Sequence, residues 1–191
     1  MRSLTDKFNE LRTLLKNGLG SIRPTGFDPV YYIMFRPGEI LEVKQRIAEW
    51  EAQLRVDGFN PVRLSMTDVV NTYFRQHELR EALIAAASER QDELDVINDA
   101  LAQHLVQDDV VGKAILDAIE KHRHVPNSVL LITDLEALHP YLRIGAVEQQ
   151  LVGRFTIPTV ILYPGTAGGA YSRRFLGVHK EDGNYRSPHI D

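Results

Sequence analysis

At 191 residues the chain is long enough to bury a substantial core, and that length favours one domain with room for a helical appendage. A net charge of -4 and a pI near 6.0 exclude a global pull toward DNA or anionic membrane, leaving only local patches. Without cysteine there is no disulfide framework, thiol nucleophile or thiolate-ligated zinc. No run is long enough to span a bilayer and the amino terminus lacks an apolar signal segment, so a cytoplasmic location is expected.

In chain order, residues 1–20 set Leu4, Phe8, Leu11 and Leu15 on one helical face, with Gly18 and Gly20 as stops. That amphipathic helix needs a surface, either the chain's own core or a partner. Val30 to Phe35 is a β-rich apolar run and reads as the first core strand. The turn after it, Arg36-Pro37-Gly38-Glu39, lacks the GxxxxGK[ST] phosphate loop. Ile40, Val43, Ile47, Trp50 and Leu54 then define a helix ending near Asp57-Gly58, followed by a short strand from Pro61 to Met66. Residues 67–105 read as a helical excursion, capped by Ser65 or Thr67 and acidic in its middle. The acids Glu89, Asp92, Glu93, Asp95 and Asp99 suit a solvated face better than a metal site. A cleaner helix is expected over Asp108 to His122.

Ser128 to Gly165 has the punctuation of a complete strand-helix-strand unit. Val129 to Ile132 and Thr159 to Leu162 are short unbroken apolar runs, as in strands buried on two faces. Pro140 suits the first turn of the crossover helix and Gly153 its far end. Asp134, Glu136 and His139 then fall in the loop after a strand, on the rim where open α/β sheets place ligands. Beyond Tyr163-Pro164, GTAGGAYS reads as a turn into a last edge strand, Arg173 to Val178, and residues 179–191 as a polar tail. The expected fold is one α/β domain over 1–191, with a mostly parallel sheet of about four or five strands flanked by helices.

Chemistry has few footholds. LLITDLE resembles the strand-end acids of Walker B, so Asp134 and Glu136 are the acids a metal-dependent nucleotidase or nuclease would use, but the phosphate loop is missing. Asp28 with Glu42-Val43-Lys44 imitates a nuclease D…ExK set, against the helical spacing around Val43. His122, His124 and His139 lack metal-ligand spacing, and no serine sits in GxSxG. Arg173, Arg174 and Arg186 with Tyr171 offer a small basic and aromatic patch, the basis for a direct DNA-binding alternative.

From Leu130 onward the sequence resembles the BrxB family of bacterial BREX phage-defence systems. The motifs are TDLEALHP-L-R-G---EQ-L from Thr133 to Leu151, PTVILYPG from Pro158 to Gly165, RFLG from Arg174 to Gly177 and DGNYRS from Asp182 to Ser187. VYYIMFRPGE, from Val30 to Glu39, is the landmark in the amino-terminal half. The resemblance implies an accessory component without catalytic activity or cofactor, working beside a PglZ-type protein of the alkaline-phosphatase superfamily, a DNA adenine methyltransferase, a large ATPase and a Lon-like protein. The PglZ-type protein is the expected partner, with DNA contact indirect or weak. The motif positions Asp134, Glu136, His139, Arg143, Glu148 and Gln149 become candidate partner contacts, with Arg174, Asp182, Asn184, Tyr185 and Arg186 as a second group. With a Walker-B-like strand and no Walker A, the domain is expected to be a degenerate P-loop-like core.

Overall fold

A computed structural model of the chain describes residues 2–17, 28–78, 80–89, 94–167, 173–177, 187 and 189–191. Its centre is a six-stranded sheet. The strands are β1 (Val30–Phe35), β2 (Asn60–Ser65), β3 (Ser128–Thr133), β4 (Thr159–Ala167), β5 (Arg173–Phe175) and β6 (His189–Ile190). The order β2-β3-β4-β1-β6 is parallel throughout, and β5 pairs antiparallel with the far end of β4.

β1 and β3 are buried at every position, which is why they appear in the sequence as unbroken apolar runs. Alternate residues serve opposite faces. Val30, Tyr32 and Met34 join one core, while Tyr31, Ile33 and Phe35 join the other. The first core lies under α3 (Met66–Gln76), α6 (Val110–His122) and α7 (Ile144–Gln150). The second lies under α1 (Leu4–Lys16) and α2 (Ile40–Val56). The result is a three-layer α/β/α sandwich.

The four-residue and three-residue spacings of α1 deliver Leu4, Phe8, Leu11 and Leu15 to this second core, so the chain's own sheet and α2 cover the apolar face. The Phe8 and Trp50 rings stack with centroids 4.7 Å apart. Ser3 caps the helix, its hydroxyl accepting from the Asp6 amide at 3.1 Å. At the far end Asp57, which ends α2, takes Arg12 and Lys16 from α1.

The crossover from β2 to β3 is the helical excursion. It is broken into α3, α4 (Arg80–Glu89) and α5 (Leu94–Gln107) before α6 returns to the sheet. Ser65 caps α3 by accepting from the Asp68 amide. α3 and α6 pack on the sheet, whereas α4 and α5 pair with each other and join those two. Among the described residues no helix is long and apolar enough to cross a membrane.

Four expectations are corrected. The sheet has six strands, not four or five. Pro140 precedes the crossover helix instead of opening it: Leu135–Leu138 form a 3₁₀ turn and α7 begins only at Ile144. The physical reason is that a residue before proline is driven out of the helical region, and His139 is extended at ψ 136°. The tail is not merely polar, because His189–Ile190 add β6 to β1 and Ile190 is buried. The expected last strand is shorter than Arg173 to Val178, ending at Phe175, and residues 168–172 of the glycine-rich turn lie outside the described residues.

Candidate functional site

The crossovers set the rim. From β1 the chain crosses to β2 at one edge, while from β4 it passes β1 to reach β6 at the other. Directions reverse between β1 and β4, and the crevice beyond the strands' carboxyl ends is where such sheets bind ligands.

On that rim β3 ends at Thr133, and Asp134 turns the chain out in the left-handed region at φ 59°. Aspartate tolerates this conformation because its short side chain finds local hydrogen bonds. Thr133 Oγ1 donates to Asp134 Oδ2 at 2.7 Å, and Ser65, level with Thr133 on β2, supplies a second hydroxyl to the carboxylate. Lys44 reaches over from α2. Its Nζ lies 3.1 Å from Asp134 Oδ1 and 2.6 Å from Glu136 Oε1.

Burial pushes the Asp134 carboxyl up, but the hydroxyls of Thr133 and Ser65 and the Lys44 ammonium outweigh it and hold the group below its ordinary value. Glu136 foremost, and then Asp134, raise Lys44 against the opposing effect of burial. The triad is two carboxylates neutralised in part by one internal cation. Among the described residues no third His, Asp or Glu joins them in a metal-binding group.

The turn after β1 is also self-occupied. Pro37 brings no amide hydrogen, and Glu39 folds back so that its Oε2 accepts from the Arg36 amide at 2.7 Å while Arg36 Nη2 donates to Oε1 at 3.0 Å. A carboxylate thus stands on the backbone donor that a phosphate would seek there.

Beside the loop that follows β3, side chains pack closely. The β4–β5 hairpin carries Phe175 onto Tyr163, with ring centroids 5.3 Å apart, and the Arg143 guanidinium lies 5.7 Å from the Phe175 centroid. With Leu135, Leu138 and Leu142 they enclose a gap that has no room for a water molecule. Gly165 is needed at this point, because a side chain there would run into the Arg174 carbonyl and the Tyr163 ring.

The sequence candidates therefore separate. Asp134 and Glu136 meet on the rim with Lys44, whose part the sequence reading missed because its partners lie far along the chain. His139 and Gln149 are exposed, Arg143 is half-buried under the hairpin, and Arg174 is exposed on β5. Glu148 lies inside, its carboxylate accepting from Tyr32 on β1 and from Ser187 near β6. Asp182, Asn184, Tyr185 and Arg186 lie outside the described residues, as do Tyr171 and the side chain of Arg173.

The D…ExK set does not assemble. Asp28 Oδ2 accepts from the Gly153 amide at 2.8 Å before β1 begins, at the opposite end of the sheet, and Glu42 pairs with Arg46 at 2.9 Å. His122 bonds the Ala118 carbonyl at 2.9 Å; it and His124 precede β3, whereas His139 follows its other end.

Fold and rim define a three-layer α/β protein whose strand-end acids are paired by its own Lys44. The chain belongs to the BrxB family: the model described as "BREX protein BrxB" matches residues 62–190, from β2 through β6, and makes this a BREX-associated defence component. No curated protein matches the chain.

Proposed function

We propose that the chain is a non-catalytic accessory component of a BREX anti-phage system. It binds a PglZ-type protein of the alkaline-phosphatase superfamily and assists assembly or regulation of the discrimination between host and phage DNA. The observation that carries this reading is the self-occupied rim. Glu39 covers the amide after β1, Lys44 neutralises the strand-end carboxylates, and Phe175 packs beside Leu135 and Leu138 of the loop after β3. An adaptor of this kind works in the cytoplasm without a cofactor, and reaches DNA through its partner. The strand order and the Asp134 terminus of β3 support descent from a P-loop-like core that has lost its phosphate loop.

The test is co-expression with the PglZ-type protein of the same BREX locus, followed by size-exclusion chromatography with light scattering on the mixture and on each component. A stable complex is expected. Separate elution across a range of salt would overturn the reading.

A second reading, a metal-dependent nucleotidase or nuclease, draws on the two carboxylates at the end of β3. It requires a divalent cation to displace Lys44 from Asp134 and Glu136. Phage defence that survives alanine at both positions removes it. A direct DNA-binding role requires Arg173, Arg174 and Arg186 to act as one surface, and predicts DNA mobility shifts that weaken steeply with salt.

A further inference from the structure

The excursion carries a feature that the rim does not explain. A cleft of about 440 Å³ opens between α3, α4 and α5. Its apolar lining comes from all three helices: Phe74 on α3, Ile84 on α4, and Ile97 and Leu101 on α5. Ile84 remains 47% exposed, an unusual setting for a branched apolar side chain that already sits in a groove. The charged residues of the described lining, Arg75 and Arg80, are both cations. Arg80 meets the exposed Glu81, and Arg75 has no ion pair among the described residues.

The cleft adjoins the rim loop through one ring contact. Phe74 meets Tyr141 edge to face at 6.2 Å, and Tyr141 lies in the loop that carries His139 and Arg143. An apolar trough bounded by helices and edged with guanidinium groups suits one kind of occupant. A helix laid in it would present apolar residues at i, i+3 or i+4, and i+7, with acids along its flank to meet the arginines.

We propose that this cleft docks an amphipathic helix with an acidic flank, supplied by the partner protein. The proposal rests on the adaptor reading above and gives it a location. Arg75 and Arg80 set which helix is accepted, and Phe74, Ile84, Ile97 and Leu101 supply the contact that excludes water.

The experiment uses the full chain with the PglZ-type protein of the same locus and the photo-crosslinker benzoylphenylalanine in place of Ile84. A control carries it at Val56, exposed at the end of α2. Light should join position 84, and not position 56, to an Asp- and Glu-bearing helix of the partner, located by mass spectrometry. The double variant Arg75→Glu/Arg80→Glu should weaken the complex by at least about tenfold, and Arg75→Lys/Arg80→Lys by less than about threefold. Both arginines are exposed, so circular dichroism should be unchanged by either pair.

A complex that forms without an adduct at position 84 and tolerates charge reversal overturns the cleft assignment while leaving the adaptor reading intact. If the wild-type chain forms no complex with the PglZ-type protein, the same crosslink in cells carrying the whole BREX locus decides. An adduct to an acidic helix of another BREX component supports the cleft and dismisses the PglZ-type partner. A self-adduct, an adduct to a basic segment, or none overturns it.

Discussion

The Lys44 ammonium sits 2.6 Å from Glu136 and 3.1 Å from Asp134, so a helix that follows β1 closes the loop that follows β3. Only half of that contact belongs to the family-matched region, since Lys44 precedes residue 62 and both acids lie within 62–190. The amino-terminal elements therefore complete a site whose acids they do not carry.

Lys44→Met should expose the electrostatic role of this contact. Asp134 is held below its ordinary value in the folded chain, so the stability it contributes is present above the unfolded carboxylate range and lost as pH falls through the folded value. Lys44 is partly exposed, and the expected cost of the substitution at pH 7 is about 1 kcal/mol. Urea denaturation at pH 7 and again well below pH 3.8 should show that cost shrinking as Asp134 protonates. An equal cost at both values would mean that Lys44 acts by packing alone.

Asp57 should govern acid stability at the other end of α2. Arg12 and Lys16 hold its carboxyl at about 2, against an ordinary 3.8. A depressed folded value means the contribution is complete above pH 4 and disappears as pH falls toward 2, amounting to about 2 kcal/mol at most. Asp57→Asn should lose that amount at pH 7 and almost nothing at pH 2. Thermal unfolding of both proteins across this range checks it, and parallel curves would count against the ion triad.

How far these relationships were legible depends on what made each residue stand out. β1, β3 and the first part of β4 were readable because burial on two faces demands unbroken apolar runs, and α1 because its stripe had one face to satisfy. β6 was not, since a two-residue strand with a single buried isoleucine has no period. Asp134 was placed on the rim by the strand-end rule. Lys44 was read only against its neighbours Glu42 and Val43, because local spacing says nothing of a partner across the sheet. Glu148 is a candidate contact only as a position of the family motif, yet it is interior, satisfied by hydroxyls from two other segments.

Tyr73 should ionise well above the ordinary tyrosine range. Burial first, and then the hydrogen bond to Asp108 at 2.6 Å, push its phenol to about 12. The raised value means that its stabilising contribution is complete below about pH 10 and is lost as pH rises through the folded value. Ultraviolet titration should lose a step at about 12 in Tyr73→Phe. In Asp108→Asn that step should move down yet stay above 10, since burial remains. No movement in Asp108→Asn would deny the carboxylate any part.

Glu148 is the hub that binds the carboxyl-terminal strand to the body. Its two oxygens accept from Tyr32 on β1 and from Ser187, two residues before β6. Glu148→Ala leaves both hydroxyls without that acceptor in a buried setting, at an expected cost of about 2–3 kcal/mol. Tyr32→Phe removes one donor and should cost about 1 kcal/mol. β6 is short and is anchored elsewhere by a bond from Arg2 Nε to the Asp191 carbonyl at 2.7 Å, so the loss should appear locally first. Hydrogen exchange followed by mass spectrometry should show the segment around Ile190 opening in Glu148→Ala while β3 stays protected. If both segments loosen together, Glu148 supports the whole core and not the attachment of β6.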